Sequence, residues 1–165
     1  MRIAIGNDHR GVKAKQNLAD LLQRLGHCCV DLGSNSEDPV DYPDIAAAIA
    51  KDVASGEADR GILVCGTGVG MAIAANKIHH IRAATCDDVK TAELMRRHND
   101  TNILCLASDF VCKPEDQAPA STCGGTDSLE DVVQTWLTTP FDGGRHARRV
   151  EKIAQLENES VDSMK

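Results

Sequence analysis

The sequence places a cysteine at the mouth of a glycine-rich turn. Cys65 ends an apolar run, and glycines follow at positions 66, 68 and 70, before an alanine-rich segment of helical character. Such a turn presents backbone N–H groups at the start of a helix, where free donors and the helix dipole favour negative charge. The same field favours a thiolate over a thiol. Cys65 is therefore a candidate nucleophile or base, and the turn is a candidate oxyanion hole.

A purely structural explanation of this stretch stays open, in which Cys65 is a small buried side chain and the glycines only permit a tight turn. Known phosphate-binding loops do not fit the spacing. A Walker loop requires a lysine closer than Lys77, and a dinucleotide fingerprint requires one more residue between its last two glycines. A thiol phosphatase loop requires an arginine where this chain has Met71.

Two further segments carry side chains suited to catalysis or ligand binding. "NDH", residues 7–9, follows the first predicted strand, and "RRHND", residues 96–100, comes just before the fifth. In open sheets of parallel strands, ligands bind beyond the carboxyl ends of the strands, where "NDH" and the Cys65 turn both fall. "RRHND" does not follow a strand. It must therefore reach such a site from a helix end or from a second subunit.

Apolar patterning alternates short strand-like runs with segments of helical periodicity. This order predicts an α/β fold with five parallel strands, right-handed crossovers and helices on both faces of the sheet. The predicted strands are 2–6, 28–32, 60–65, 82–85 and 103–107, and the predicted helices are 12–25, 44–54, 69–78, 89–97 and 129–137.

Length and composition predict a single domain over residues 1–165. The net charge of −7 disfavours nucleic acid and anionic membranes as partners. No apolar run is long enough to span a bilayer, and the first residues lack the apolar region of a signal peptide. The seven cysteines have neither C-x-x-C nor zinc-ligand spacing, which favours reduced thiols, no metal and a cytoplasmic location. We expect four of these cysteines in the core: Cys28, Cys29, Cys86 and Cys105.

Two segments after the fifth predicted strand differ in composition from the rest of the chain. Residues 108–128 are rich in Pro, Gly, Ser, Thr and Asp, which predicts a long surface loop. Residues 145–158 have basic residues at their start and amphipathic spacing, which predicts a C-terminal helix.

Six stretches occur in one order over nearly the whole chain: "IAIGNDHRG", "DYPDIA", "GILVCGTGVGMAIAANK", "IRAATC", "RRHNDTNIL" and "GGRHARRVEKI". Together they resemble the ribose-5-phosphate isomerase B family, which includes the galactose-6-phosphate isomerase subunits. The resemblance implies a Rossmann-like three-layer α/β/α fold, no metal or organic cofactor, and a homodimer with shared active sites, for which a tetramer is also possible. It further implies an aldose–ketose isomerase that interconverts ribose 5-phosphate and ribulose 5-phosphate through a cis-enediolate.

The resemblance assigns catalytic roles to four residues. Cys65 is the base that moves a proton between C1 and C2, and Thr67 orients or protonates beside it. His98 opens the furanose ring, and Asp8 binds hydroxyls near the reacting carbons. The enediolate oxygens are held by backbone N–H groups of the turn, from Gly66, Gly68, Val69 and Gly70.

The same resemblance implies a set of substrate-binding residues. Asn99 is expected to hydrogen-bond a sugar hydroxyl, and Tyr42 to lie near substrate, although a core position is an equal alternative. His9, Arg145 and Arg149 match phosphate ligands. The two arginines are four residues apart, and so lie on one helix face.

Asp109 departs from the family pattern, because the family usually carries a phosphate-contacting arginine at this place. An aspartate repels a phosphate dianion. Either Arg148 or Lys113 substitutes in a rebuilt loop, or the substrate depends less on phosphate. Two alternatives therefore stay open: an isomerase of another phosphorylated or free aldose, and a non-catalytic sugar-phosphate-binding protein.

Overall fold

Five parallel strands form the centre of the protein. The computed structural model describes residues 1–111 and 127–162, without the side chains of residues 109, 110 and 158–162. The strand order is β2-β1-β3-β5-β4, and every neighbouring pair is parallel. This confirms the predicted sheet. The strands are β1 (Arg2–Asn7), β2 (Cys28–Asp31), β3 (Arg60–Cys65), β4 (Ala83–Thr85) and β5 (Ile103–Ala107).

Seven α-helices lie in the described residues, and a 3-10 turn (His9–Gly11) connects β1 to the first of them. The predicted helices 12–25, 44–54, 69–78, 89–97 and 129–137 are all present, with ends shifted by one to three residues. The helices are α1 (Val12–Arg24), α2 (Tyr42–Ser55), α3 (Val69–Ala75), α4 (Val89–Asn99), α5 (Ser108–Val111), α6 (Leu129–Thr138) and α7 (Arg145–Asp162).

The helices cover both faces of the sheet, which confirms the expected Rossmann-like three-layer α/β/α fold. Side chains alternate along each strand, so that Ile62 and Val64 pack on one face and Leu63 and Cys65 on the other. The first face is covered by α1, α4 and α6. The second is covered by α2 and α3. Because β3 lies between β1 and β5, it is buried on both faces, as its continuous apolar sequence predicts.

Helix α3 ends earlier than the predicted residue 78, because a side chain terminates it. The amide of Asn76 donates to the Ala83 carbonyl and accepts from the Ala83 N–H, both at 2.8 Å. This pair of bonds joins the end of α3 to the start of β4. The apolar spacing through Ile78 continues past that point, and so the sequence pattern predicts a longer helix.

The predicted loop 108–128 is wrong at its start, because residues 108–111 form α5. The Val111 side chain is buried in the first-face core, where α5 packs against α1, and this burial holds the chain in a helical turn. The rest of the loop to residue 126 lies outside the described residues, and so does Lys113. The C-terminal helix begins at Arg145 as predicted and continues to Asp162. None of the described helices combines the length and apolar character needed to cross a membrane.

The expectation of four core cysteines is half correct. Cys86 and Cys105 are buried, whereas Cys28 is exposed and Cys29 is half-buried. The reason is topological, because both lie on β2, an edge strand with a neighbour on one side only. Partial burial still raises the pKa of the Cys29 thiol to about 11, mainly by removing water from the thiolate.

The turn between β3 and α3 depends on Gly68. This residue has a left-handed backbone with φ of 76°, and it caps α3. A Cβ atom at this position would lie 3.2 Å from the carbonyl carbons of Cys105 and Leu106 in β5. The turn is therefore folded against the neighbouring strand, and only glycine combines this φ with this close approach.

We expect Gly68→Ala to destabilise the protein more than Gly56→Ala. Gly56 is also left-handed, with φ of 80°, but it faces open space, so its substitution costs only the backbone strain of about 1–2 kcal/mol. Gly68→Ala adds a contact with backbone that cannot rotate away, and we expect at least about 1 kcal/mol more. Urea unfolding at a fixed protein concentration measures both, and equal losses would contradict this account of the turn.

Candidate active site

The Cys65 thiol lies under the glycine turn at the end of β3. Its side chain is only 6% exposed, and the Gly68 N–H donates a hydrogen bond to its Sγ atom at 3.1 Å. A backbone N–H directed at sulfur stabilises negative charge on that atom. The left-handed backbone of Gly68 directs this N–H back toward β3. The conformation of the turn therefore determines the hydrogen bond that the thiol accepts.

Tyr42 lies directly against the same turn, and a position near substrate stays a prediction. A Cβ on Gly70 would lie 2.9 Å from the Cε2 and Cζ atoms of the Tyr42 ring. Tyr42 begins α2 and is 40% exposed, which makes it a poor core residue. The alternative of a core position is therefore wrong, and the ring forms a partly open wall beside the turn.

The "NDH" segment reaches the same edge of the sheet from β1. The Asp8 N–H donates to the Val64 carbonyl at 3.2 Å, and Asp8 is buried. One Asp8 carboxylate oxygen accepts the Arg10 N–H at 2.9 Å, which caps the 3-10 turn. The buried Nδ1 atom of His9 has no hydrogen-bond partner among the residues that the structure describes. Asp8 and His9 thus lie next to the residue preceding Cys65, as expected.

Thr67 is in the turn, and the hydrogen bond observed at its hydroxyl lies within the turn. The side chain is exposed, and Oγ1 accepts the Val69 N–H at 3.4 Å. The hydrogen bond observed at the thiol comes from Gly68 instead. A role of Thr67 in proton transfer stays a prediction.

His98 and Asn99 end α4, and the basic start of α7 lies beside them. The imidazole rings of His98 and His146 stack, with centroids 4.2 Å apart and planes 1° from parallel. Arg145 Nε donates to His146 Nε2 at 3.3 Å. Arg97 holds Asp142 through both carboxylate oxygens at 3.1 Å, which fastens the segment before α7 to α4.

Asp100 fixes the chain immediately after Asn99. It has a left-handed backbone with φ of 48°. Its carboxylate binds Arg82 at 2.9 Å and Arg96 at 2.8 Å. The next residue, Thr101, accepts a hydrogen bond from the buried Trp136 indole at 2.9 Å. The residues that follow Asn99 are therefore held by side chains of Arg82, Arg96 and Trp136.

The two groups of candidate residues lie at opposite ends of the sheet within one chain. The Gly61 N–H donates to the Asn102 carbonyl at 3.0 Å, so the residues that follow Asn99 lie at the start of β3. Cys65 is four residues further along that strand, which corresponds to about 13 Å. The structure therefore brings Asp8, His9, Tyr42 and the turn together with Cys65. It brings His98 and Asn99 together with Arg145, but separates them from the thiol.

Metal-ligand atoms converge once in the described ranges, at His98, Asp142 and His146. The arrangement suits a metal poorly. Parallel stacked rings direct their lone pairs along parallel planes instead of toward one point, and the Asp142 carboxylate is already bound by Arg97. Burial lowers the pKa of His146, and His98, Arg145 and Arg149 lower it further. The surrounding positive charge is better suited to an anion.

Three residues of these two groups were not predicted from the sequence, one beside Cys65 and two beside His98. The Arg10 guanidinium lies over Gly66, with Nη1 3.0 Å from the position of a Cβ on that glycine. His146 and Asp142 complete the surroundings of His98. The sequence held a signal for two of them, because Arg10 directly follows "NDH" and His146 directly follows Arg145. The side chain of Asp109 lies outside the described residues, whereas Arg148 is exposed on α7.

Known proteins are similar to this chain in both sequence and fold. The model of the Ribose/Galactose Isomerase family matches residues 3–153. Ribose-5-phosphate isomerase B of Escherichia coli is 41% identical over 156 residues, which cover 94% of this chain and 96% of that protein.

Two solved structures agree with this relation. Ribose-5-phosphate isomerase B of Clostridium thermocellum has a TM-score of 0.84 and 44% identity, covering 97% of this chain and 99% of that one. The Mycoplasma genitalium enzyme, solved with bound ribulose-5-phosphate, has a TM-score of 0.80 and 38% identity, covering 96% and 97%. With the family model matched over most of its length, the chain belongs to the ribose/galactose isomerase family.

Proposed function

We propose that this protein is a cytoplasmic ribose-5-phosphate isomerase that interconverts ribose 5-phosphate and ribulose 5-phosphate. The observation that carries the proposal is the Cys65 thiol held under a glycine turn, with a backbone N–H directed at its sulfur. The family relation supports an aldose–ketose isomerase. The M. genitalium relative, solved with bound ribulose-5-phosphate, supports the choice of substrate.

The proposed reaction moves protons between neighbouring carbons and oxygens. The Cys65 thiolate removes the proton from C2 of the open aldose, and the electron pair of that bond forms the C1–C2 double bond of a cis-enediolate. The charge that develops on O1 is stabilised by backbone N–H groups of the turn. The protonated thiol then returns the proton to C1, and the hydroxyl proton of O2 moves to O1, which gives the ketose.

Ring opening precedes this proton transfer and requires a separate group. We assign it to His98, which transfers a proton to the ring oxygen as the furanose opens. Asn99 and Asp8 bind sugar hydroxyls, and His9 binds the phosphate. Arg145 and Arg149 are exposed on α7 beside the His98 group and add positive charge for the phosphate.

A complete site requires a second copy of the chain. Cys65 and His98 lie at opposite ends of β3 in one chain, so a single substrate cannot meet both within it. We therefore propose a homodimer in which the His98 group of one chain faces the Cys65 turn of the other. Exposed apolar side chains occur on the outer surface of α3, at Val69 and Ile73, where such a contact would bury them.

A second candidate substrate class is another aldose, phosphorylated or free. The observation that favours it is Asp109, at a position where the resemblance implies an arginine. A coupled assay over phosphorylated and free pentoses and hexoses distinguishes the two. A non-catalytic sugar-phosphate-binding protein, the third alternative, is disfavoured because a binding protein requires neither a base nor a ring-opening histidine.

Cys65→Ala is expected to lower kcat for ribose 5-phosphate by about 10²–10⁴-fold, the usual contribution of a positioned acid–base group. Cys28→Ala removes an exposed thiol from β2 and should retain normal activity. Steady-state kinetics of both variants measure the difference. Cys65→Ala activity within tenfold of the unmodified protein would remove Cys65 from the role of base.

Mixing two inactive variants tests the shared site. In a mixed dimer of one Cys65→Ala chain and one His98→Asn chain, one site carries both substitutions and the other carries neither. Random pairing makes half of the dimers mixed, so we expect recovery of about a quarter of the normal activity after subunit exchange. A control mixture of Cys65→Ala with Cys65→Ser should stay inactive. Failure of the first mixture to recover, with mixed dimers demonstrated, would refute the shared site.

The stacked imidazole pair, of which His146 is buried, predicts a loss of stability in acid. His146 has its pKa lowered from 6.5, first by burial and then by His98, Arg145 and Arg149, while Asp142 opposes this shift. The unfolded chain binds this proton near pH 6.5 and the folded chain only at lower pH. The contribution of this histidine to the free energy of unfolding is therefore fully present above pH 6.5 and is lost as the pH falls. His146→Asn should reduce the decline in Tm between pH 7.5 and 5, and an unchanged decline would contradict the assignment.

A further inference from the structure

The Arg10 guanidinium is placed over the residue that follows Cys65. Its Nη1, Cζ and Nε atoms lie 3.0, 3.2 and 3.5 Å from the position of a Cβ on Gly66. These three distances differ by only half an ångström, so the plane of the guanidinium, and not the aliphatic part of the side chain, covers this glycine. The absence of a side chain at Gly66 is what permits this approach.

The backbone that carries Arg10 is fixed against β3. The Arg10 N–H is bound by Asp8 at 2.9 Å, and the Asp8 N–H is bound by Val64 at 3.2 Å. Gly11 packs so closely that a Cβ there would lie 3.2 Å from the Val64 carbonyl oxygen. The guanidinium therefore extends from a rigid turn toward the edge of the sheet where Cys65 lies.

The Arg10 guanidinium also has no carboxylate partner in the described part of the chain. Arg82, Arg96 and Arg97 each bind an aspartate. Arg10 is exposed and makes no such ion pair, and the nearby Asp8 carboxylate is used to cap the Arg10 N–H instead. An unpaired planar cation next to the turn is suited to a bidentate oxyanion, which is the geometry of a phosphate group.

We propose that Arg10 binds the substrate phosphate from the chain that supplies Cys65 and thereby sets the preference for phosphorylated sugars. The proposal rests on the proposed function and deepens it. The phosphate of an open-chain pentose lies a few bonds from C2, within the span of an arginine side chain anchored beside the thiol. Arg10 and His9 would then approach the phosphate from one turn. Arg10 would supply the positive charge that Asp109 cannot supply.

The test compares Arg10→Ala and Arg10→Lys with Lys13→Ala. Lys13 is an exposed cation on the first turn of α1, so its removal changes the net charge equally without touching the site. Arg10→Ala should raise KM for ribose 5-phosphate by about 10–100-fold, the range of a lost charge-assisted bond, and leave kcat within about threefold. Arg10→Lys should be intermediate, because an ammonium binds phosphate as a point charge. Lys13→Ala should stay within about twofold of the unmodified protein.

Two further measurements separate this proposal from others. Activity on free D-ribose should be the same with and without Arg10, and an equal loss on ribose and ribose 5-phosphate would place Arg10 at the reacting carbons and overturn the phosphate role. Inorganic phosphate binding, measured by calorimetry in the Cys65→Ala background, should weaken at least tenfold with Arg10→Ala. Equal binding by the Arg10→Ala and Lys13→Ala proteins would also overturn it.

The binding measurement is independent of turnover, so failure of the proposed function can be recognised separately. If the unmodified protein does not isomerise ribose 5-phosphate, the proposed function fails. Phosphate binding that still depends on Arg10 would then support the anion site. Because Arg10 is exposed, Arg10→Ala should unfold at the same temperature as Lys13→Ala.

Discussion

The parallel direction of the strands is the constraint on which the rest of this structure depends. It places every residue that follows a strand at one edge of the sheet and every residue that precedes a strand at the other. Cys65 ends β3 and Asp8 follows β1, whereas His98 precedes β5. The Cys65 thiol, which accepts a backbone N–H, and the His98 imidazole are thus kept apart by the length of β3. This separation is the reason for proposing a site shared between two chains.

The elements were predictable because their signals are local, and the contacts between them were not. The bounds of β3 and β5 agree with the predictions, since uninterrupted apolar runs leave little doubt about buried strands. The end of α3 was misplaced because Asn76 stops it through bonds to β4, and α5 was missed because Val111 is fixed by burial against α1. Both depend on contacts with residues outside the helix itself.

The site shows the same division. Residues whose roles follow from a motif, such as Cys65 and Asp8, are where the pattern placed them. Tyr42 could be distinguished from a core residue only by its exposure and its contact with Gly70, neither of which the sequence shows. Arg10 and His146 adjoin predicted residues in the sequence, yet their relevance depends on side-chain directions, which no periodicity reports. Arg82 and Arg96 are the opposite case, because both bind Asp100 and so have a structural role.

The hydrogen bond between Trp136 and Thr101 gives the protein a built-in optical probe. Trp136 is the only tryptophan in the sequence, and its indole is fully buried. Its emission therefore arises from one environment, two residues from Asn99 along the hydrogen-bonded chain. A displacement of the "HND" segment that stretches this bond changes the polarity around the indole and hence its emission wavelength. Movements of the chain near His98 are thus visible without any added label.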